Sequence, residues 1–439
     1  MTRTVLPDTI KEQMKTVTHF ELLFTDVLGR EKSMSITEQE IWEIIKEGQG
    51  FDGSSIQGFV RLHESDLMAD VRFRSFRKLP ASLSSNGHEI GIFFCDIKTT
   101  DGKPFEGDPR QCLKRALRKA KRMGYDFFVG PELEFFIFPD DKTPEPLDYG
   151  GYFDAVQNPI VIEAVDTLKK IGIHVECSHS EVAPSQYEID VKYADALTMA
   201  DQVMLIKRVI KSIAHKHGKY ATFLPKPIFG ENGSGMHTHM SLFRKGHNAF
   251  FDGRHPMNLS VLSRRFMAGI LKYVPEFTLV TNQLVNSYKR IVPGFEAPCY
   301  VSWGRKNRSS LVRVPGYREG KEKATRIELR SPDPACNPYI AFAAMLEAGL
   351  LGVREKLRLS APIEDNIFEM SPEMREQLHI TMLPGSLEAA ITLAESSSFL
   401  WKALGPHILD ALLNNKRHEW ETYRTHVSEW EIKEQMALV

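Results

Sequence analysis

The sequence predicts a two-domain protein of mixed class, α+β or α/β, in which one face of a sheet is the working surface. Two observations carry this reading. Strand-like and helix-like stretches alternate along the chain, with turn residues between them. Several of the strand-like stretches also hold charged or metal-ligating residues two positions apart, a spacing that turns both side chains to the same face of a strand. These are Glu132 and Glu134 in VGPELEFFIF, His237 and His239 in GENGSGMHTHMSL, and Arg326, Glu328 and Arg330 in ATRIELRSPDP.

Alone, an alternating Glu strand reads as a half-exposed edge, and a His pair as readily as hydrogen-bonded core. In the first stretch, however, the other face is Pro131, Leu133 and Phe135, and the run continues into Phe136, Ile137 and Phe138, which predicts burial on both faces. Carboxylates buried there need partners. Carboxylate oxygens suit hard divalent cations, an added imidazole widens the choice from Mg2+ to Mn2+, and guanidinium groups suit phosphate or carboxylate oxygens. Three such strands in one chain point to nucleotide phosphoryl chemistry.

In chain order, residues 17–35 read as two strands around a turn at Gly29, followed by a helix from an N-cap at Thr37 to a stop at Gly48. After FDGSSIQGF come strands near residues 67–73 and in EIGIFFCDI, closing a small sheet-rich unit at the turn TTDGKPFEGD. The domain boundary is placed near residue 105, giving domains 1–105 and 106–439. The second unit opens with Asp108 as N-cap and Pro109 at the first helical position, and this helix ends at Gly124. Further helices follow Asn158-Pro159 as far as Gly172, cover about 195–217 before Gly218, and include AAMLEAGLLGV.

A chain of 439 residues is long enough for two cores. Lys and Arg total 56 against 57 Asp and Glu, with no long run of either sign, which argues against a nucleic-acid stripe or a surface for anionic membranes. The five cysteines, Cys95, Cys112, Cys177, Cys299 and Cys336, are scattered without a CxxC pair and read as reduced thiols. The N-terminus MTRTVLPDTIKEQMK has no apolar signal-peptide core, and no apolar run approaches a membrane span. The expectation is a cytoplasmic enzyme acting on small molecules, with neither nucleic acid nor membrane as a partner.

Segment after segment, the chain resembles glutamine synthetase. FDGSSIQGF, ESDL, GPELEFF, GGYFD, SHSEVAPSQYEID, KYADAL, ATFLPKPIFGENGSGMHTHMSL, NSYKRIVPGFEAP, NRSSLVRVP and KATRIELRSPDPACNPY occur in the family's order, from about residue 18 into the C-terminal helices. Each is a modest signal, and the set is highly specific. The resemblance implies an α+β fold, with a small N-terminal β-grasp-like domain and a large catalytic domain whose curved antiparallel sheet is flanked by helices, as in glutamine synthetases and guanido kinases. It also implies ATP-dependent ligation of ammonia to glutamate through γ-glutamyl phosphate, with ATP as a substrate and two or three Mg2+ or Mn2+ ions per site.

The same resemblance assigns residues. Glu134, Glu181 and Glu188 are similar to the ligands of an ion near glutamate, and Glu132, His237 and Glu328 to those of an ion at the ATP phosphates. By itself SHSEVAPSQYEID reads as a solvated loop broken by Pro184, so Glu181 and Glu188 rest on the resemblance. Arg308, Arg313 and Arg330 match arginines near the transferred phosphate or the substrate carboxylates, where charge must be neutralised. Arg290 matches the residue that grips the α-carboxylate, and Asn232 and Gly233 match the glutamate loop, where glycine lets backbone approach ligand. Glu176, His239, Ser241, Lys323 and Arg326, with Arg313, match nucleotide-binding positions. Asp52 matches the base that deprotonates ammonium and Glu296 the carboxylate of a mobile flap. Asp52, Ser55, Tyr152, Glu181 and Glu296 together match the acidic ammonium pocket.

In this family the site is shared between neighbouring subunits. The resemblance therefore implies a homo-oligomer, a dodecamer of two stacked hexameric rings, with VSEWEIKEQMALV similar to the inter-ring helix and small regulatory proteins as further partners. The chain departs from the family pattern at Ser180, usually a His, in a shortened connection between Tyr152 and Glu181, and in lacking a tryptophan in MADVRFRSFRKLPASLS. In NIFEMS, Phe368 stands where one bacterial subclass has a tyrosine that is adenylylated, which implies the short, non-adenylylated type I subclass. There an arginine matching Arg61 mediates feedback by glutamine. A sister ligase for polyamines or other amines would be expected to lack the acidic pocket, and a non-catalytic sensor on this fold to lack a metal ligand. Neither loss occurs in this sequence.

Overall fold

The computed structural model describes residues 7–56, 58, 65–84, 87–155, 158–307 and 309–439, organised around two sheets. The N-terminal part comprises α1 (Asp8–Met14), β1 (His19–Thr25), β2 (Glu31–Thr37), α2 (Ile41–Glu47), β3 (Gln49–Asp52), β4 (Asp66–Val71), β5 (Arg77–Leu79) and β6 (Ile90–Thr99). Its sheet runs β2-β1-β6-β4-β3, with β5 on β6. The β1–β2 hairpin turns at Gly29, whose φ of 79° favours glycine, and Asp26 Oδ1 accepts from the Leu28 and Arg30 amides to hold the turn.

Strand β6 is apolar on both faces because it separates two cores. Ile90, Ile92 and Phe94 join the large core of the molecule. Phe93, Cys95 and Ile97 join a small core built with Phe20, Leu22 and Phe24 of β1.

Two expectations need correction. Thr37 does not cap a helix: it is still paired with His19 at the end of β2, and α2 begins at Ile41 without a side-chain cap. The strand expected near residues 67–73 ends at Val71, and a 3-10 turn at Phe73–Ser75 follows.

The larger part comprises α3 (Pro109–Arg122), β7 (Asp126–Phe138), α4 (Pro159–Lys170), β8 (Val175–Ser180), β9 (Gln186–Val191), β10 (Ala194–Asp195), α5 (Ala196–Lys216), β11 (Tyr220–Thr222), β12 (Met236–Arg244), β13 (His247–Asn248), α6 (Val261–Thr281) and α7 (Ser287–Arg290). It continues with β14 (Trp303–Gly304), β15 (Val312–Arg313), β16 (Ile327–Leu329), α8 (Pro338–Arg354), α9 (Pro372–Gln377), α10 (Leu387–Ser396), α11 (Ser398–Leu404), α12 (Pro406–Arg424) and α13 (Glu429–Gln435). The sheet runs β14-β15-β16-β12-β7-β9-β8, antiparallel except for the β14–β15 pair.

On its inner face Leu133, Phe135 and Ile137 of β7 and Ile189 of β9 pack against the helical layer. In that layer α6 and α8 approach so closely that a Cβ on Gly352 would lie 2.3 Å from the Arg265 carbonyl oxygen. The other face carries the polar side chains of the site, and at the end of β7 Phe136 and Phe138 close it with a small apolar cluster that includes Ala183. Among the described residues no helix is long and apolar enough to cross a membrane.

Asp108 and Arg110, at the start of α3, tie the two parts together. The Asp108 carboxylate accepts from the Ile97 amide of β6 at 2.9 Å and from the Arg110 amide at 2.8 Å. The Arg110 guanidinium grips Asp201 of α5 through two hydrogen bonds of 3.0 Å and also pairs with Asp96 of β6.

Candidate active site

Strand register builds the site. His237 of β12 lies opposite Glu132 of β7, Glu134 of β7 lies opposite Glu188 of β9, and His179 of β8 lies opposite Glu188 from the other side. His239 of β12 lies opposite Glu328 of β16, and Glu328 in turn opposite Arg313 of β15. Six neighbouring strands, β15, β16, β12, β7, β9 and β8, thus present acids, imidazoles and a guanidinium in one row, as the two-residue spacing requires.

The contacts are short. Glu132 receives His237 Nδ1 at 3.0 Å and His239 Nε2 at 2.6 Å. Glu328, only 1% exposed, receives Arg313 Nε at 2.5 Å and pairs with Arg330 Nε at 3.2 Å and His237 Nδ1 at 3.8 Å. Glu134 Oε2 accepts from Gln186 Nε2 at 2.9 Å and from the Gly235 amide at 3.0 Å, which leaves Oε1 facing His237 Nε2 at 3.8 Å.

The electrostatics divide the row into two. Burial pushes the Glu132 carboxyl up, but hydrogen bonds from His237 and His239 outweigh it and hold the group well below the usual carboxylate range. On the other side acids crowd without enough counter-charge. Burial and the neighbouring Glu134 charge push Glu181 up to about 8 and Glu188 far above its ordinary value. Asp190 is raised as well, by burial first and then by the Glu132 charge. A divalent cation would supply the missing positive charge, and the donor set of carboxylate oxygens with imidazole nitrogen suits Mg2+ or Mn2+. Donor atoms of Glu132, His237 and Glu328 lie within 4.8 Å of one another, and so do those of His179, Glu188 and Asp190.

These residues line a cavity of about 420 Å3 that also contains Tyr152, Glu181, Asn232, Gly233, Arg290, Glu296, Arg313 and Arg330. Arg290, 2% exposed, donates to the Ser331 carbonyl at 2.8 Å, and its Nε has no hydrogen-bond partner. Gly233 has no room for a side chain: a Cβ there would lie 2.2 Å from the Pro225 carbonyl oxygen. A second cavity of about 320 Å3 is lined by Glu176, His239, Ser241, Lys323 and Arg326, and shares Glu132 and Asp190 with the first. Arg326 Nε donates to His239 Nδ1 at 3.2 Å.

Asp52 and Ser55 are not brought there. They sit at and after the end of β3 and line neither cavity. Arg308 and Arg61 lie outside the described residues. The loop reading of SHSEVAPSQYEID is overturned, since β8 and β9 pair antiparallel across it. Sequence reasoning also passed over Asp190 and did not assign His179 a role, although both line the main cavity. Glu188 and Asp190 have the same two-residue spacing as Glu132 and Glu134, and that signal was present.

Residues 106–435 match the family described as Glutamine synthetase, catalytic domain, and residues 16–100 match Glutamine synthetase, beta-Grasp domain. The chain is 46% identical over 441 residues to the glutamine synthetase of Thermotoga maritima, covering 98% of this chain and 99% of that one. It is 47% identical over 425 residues to that of Mycobacterium bovis, covering 95% of each. Among solved structures, a complex of GmaS with ADP superposes with a TM-score of 0.88 at 29% identity, covering 99% of this chain and 100% of the other. Plasmodium falciparum glutamine synthetase superposes with a TM-score of 0.86 at 26% identity, covering 98% of this chain and 97% of the other. With both parts of the chain matched and relatives aligned along nearly its whole length, the chain belongs to the glutamine synthetase family.

Proposed function

We propose that this ligase forms glutamine from glutamate, ammonia and ATP in the cytoplasm, with glutamate in the larger cavity and the nucleotide in the adjoining one. The observation that carries this reading is the meeting of the two cavities at Glu132 and Asp190, beside the Glu132, His237 and Glu328 cluster. There the terminal phosphoryl group of ATP would face the glutamate γ-carboxylate. Glu132, His237 and Glu328 would hold one divalent ion, and Glu134, Glu181 and Glu188 another. Such ions neutralise charge on the transferring phosphoryl oxygens and orient them.

The side chains supply the rest. Arg290 and the Asn232–Gly233 loop bind the glutamate α-carboxylate end. Arg313 and Arg330, with Arg308, neutralise the phosphoryl and carboxylate oxygens. Glu176, His239, Ser241, Lys323 and Arg326 hold the nucleotide. The γ-carboxylate oxygen attacks phosphorus, ADP leaves, and the resulting acyl phosphate is then attacked by ammonia, which expels phosphate. Ammonium must first lose a proton. Asp52 is fitted for this role because the Ser54 amide, donating at 2.8 Å, holds its carboxyl below the usual range and therefore ionised.

Asp52 and Ser55 would reach this chemistry in the site of a neighbouring subunit. That arrangement calls for a homo-oligomer, which we infer to be a dodecamer of two hexameric rings. Glu296 and Tyr152 close the ammonium pocket with Glu181. Phe368, packed against Tyr300 at 5.8 Å between ring centroids, offers no hydroxyl for adenylylation, so control falls to small molecules and regulatory proteins. The deciding assay measures ATP- and glutamate-dependent phosphate release with ammonium and with a panel of amines. Ammonium should be strongly preferred, and a preference for methylamine or a polyamine would assign the chain to an amine ligase instead.

A further inference from the structure

Away from the catalytic cleft, another cavity of about 420 Å3 opens between the start of α6, the end of α8 and β14. Arg264, Arg265, Lys356 and Arg358 line it, with His255 beside them, and no acid does. Among the described residues none of these four cations makes a side-chain hydrogen bond or ion pair, and Arg264 Nε is buried without a partner. Unpaired like charges that converge on one concavity repel each other unless an anion joins them.

Helix electrostatics do not explain the cluster. The carboxyl end of α8 would attract Lys356 and Arg358, but Arg264 and Arg265 lie near the amino end of α6, where the helix dipole disfavours cations and favours an anion. Lys356 is also held at φ 55°, in the position after a helix that glycine usually occupies. Its conformation is costly for a residue with a side chain, and such strain is characteristic of functional positions. The remaining wall is apolar. Val261, Leu357 and Leu359 flank Trp303, which is held by its indole N–H donating to the Ser360 carbonyl at 2.9 Å.

We propose that this cavity binds a small phosphomonoester with an apolar or aromatic body. The dianionic phosphate would lie among Arg264, Arg265, Lys356 and Arg358, whose donors match its oxygens, and the body would lie against Val261, Leu357 and Leu359, which the buried Trp303 backs. The site is independent of the ligase reading, since none of its residues belongs to the catalytic cleft.

Isothermal titration calorimetry on the intact protein, with ADP saturating the nucleotide cavity, tests the proposal with phenyl phosphate as probe. Phenyl phosphate should bind saturably, one per subunit. Inorganic phosphate should bind more weakly, benzyl alcohol should not bind, and added salt should lower the affinity. The double variant Lys356→Gly, Arg358→Ser should bind phenyl phosphate at least tenfold more weakly while keeping its ligase activity, and Lys356→Gly alone, which removes the strained backbone, gives a folded single variant that should also bind more weakly. Absence of saturable binding, or affinity unchanged in both variants, would overturn the proposal.

Discussion

Glu328 is the side chain on which the site's charges converge, with Arg313 at 2.5 Å, Arg330 at 3.2 Å and His237 at 3.8 Å. Glu328→Ala would remove a metal-facing oxygen and leave two arginines facing each other without an anion. Phosphate release should fall about 1,000-fold or more, since Lewis-acid stabilisation contributes several kcal/mol and each 1.4 kcal/mol is about tenfold in rate. Light scattering should give an unchanged particle mass. A rate within about tenfold of wild type at saturating Mg2+ would remove Glu328 from the metal site. Asp52→Ala should separate the two half-reactions instead. Glutamate-dependent ATP cleavage should persist slowly, while glutamine formation at neutral pH drops about 100- to 10,000-fold. Undiminished glutamine formation would exclude Asp52 as the base. At this scale the two-residue spacing made Glu132, Glu134, His237 and Glu328 legible directly in the sequence. Asp190 has the same spacing from Glu188, but Pro184 made its segment look like a loop, whereas the proline actually sits in the turn between two strands. On the proposed assembly Asp52 would reach an active site only through a neighbouring subunit, and such a relation has no local pattern in a sequence.

The helices that could be read from the sequence were those whose starts carry a chemical mark. Asp108 and Asn158 each cap a helix with a side-chain oxygen and are followed by proline, and α3 and α4 begin at those positions. Helix α2 lacks a side-chain cap, so no residue type marks its start at Ile41, and Thr37 belongs to the strand before it. Strands β14 and β15 are two residues each, too short for any periodicity, yet β15 delivers Arg313 to the site. The Asp108 cap has a further consequence. Burial, with the nearby Asp96 charge adding to it, pushes its carboxyl up to about 7 even though the Ile97 and Arg110 amides oppose the shift. A carboxyl raised in the fold favours its protonated form, so this contribution to stability is fully present below about pH 4 and is lost as pH rises through 7. The slope is about 1.4 kcal/mol per pH unit. Asp108→Asn keeps one accepting oxygen for the cap to the Arg110 amide, loses the acceptor for the Ile97 amide at a cost that does not vary with pH, and cannot ionise. Its melting temperature should therefore gain on wild type between pH 4.5 and 7, and parallel melting curves across that range would show that Asp108 is not titrating in the fold.

For the whole molecule, two features point beyond a single chain: Asp52 lines neither of the two cavities of the candidate site, and apolar side chains at the C-terminus are exposed. Helix α13 is closed by a capping box between Ser428 and Glu431, but it is only seven residues long. A helix that short is not stable in water without something to pack on. Around it Val427, Trp430, Ile432, Met436 and Leu438 are all more than half exposed, and exposed apolar side chains so concentrated in one segment mark a contact surface. In the proposed two-ring assembly residues 426–439 should therefore join one ring to the other, whereas sites built from Asp52 of one subunit and the cleft of the next would lie within a ring. A chain ending at Thr425 separates these roles. Its particle mass by light scattering should fall to half that of the full chain, and phosphate release per subunit should remain within about threefold. That threefold margin corresponds to roughly 0.6 kcal/mol, too small to reflect a lost catalytic group. Unchanged mass would remove the C-terminal segment from the ring-to-ring contact. Halved mass with activity abolished would show instead that the sites depend on contacts between rings, and would overturn the assignment of Asp52 to an in-ring neighbour.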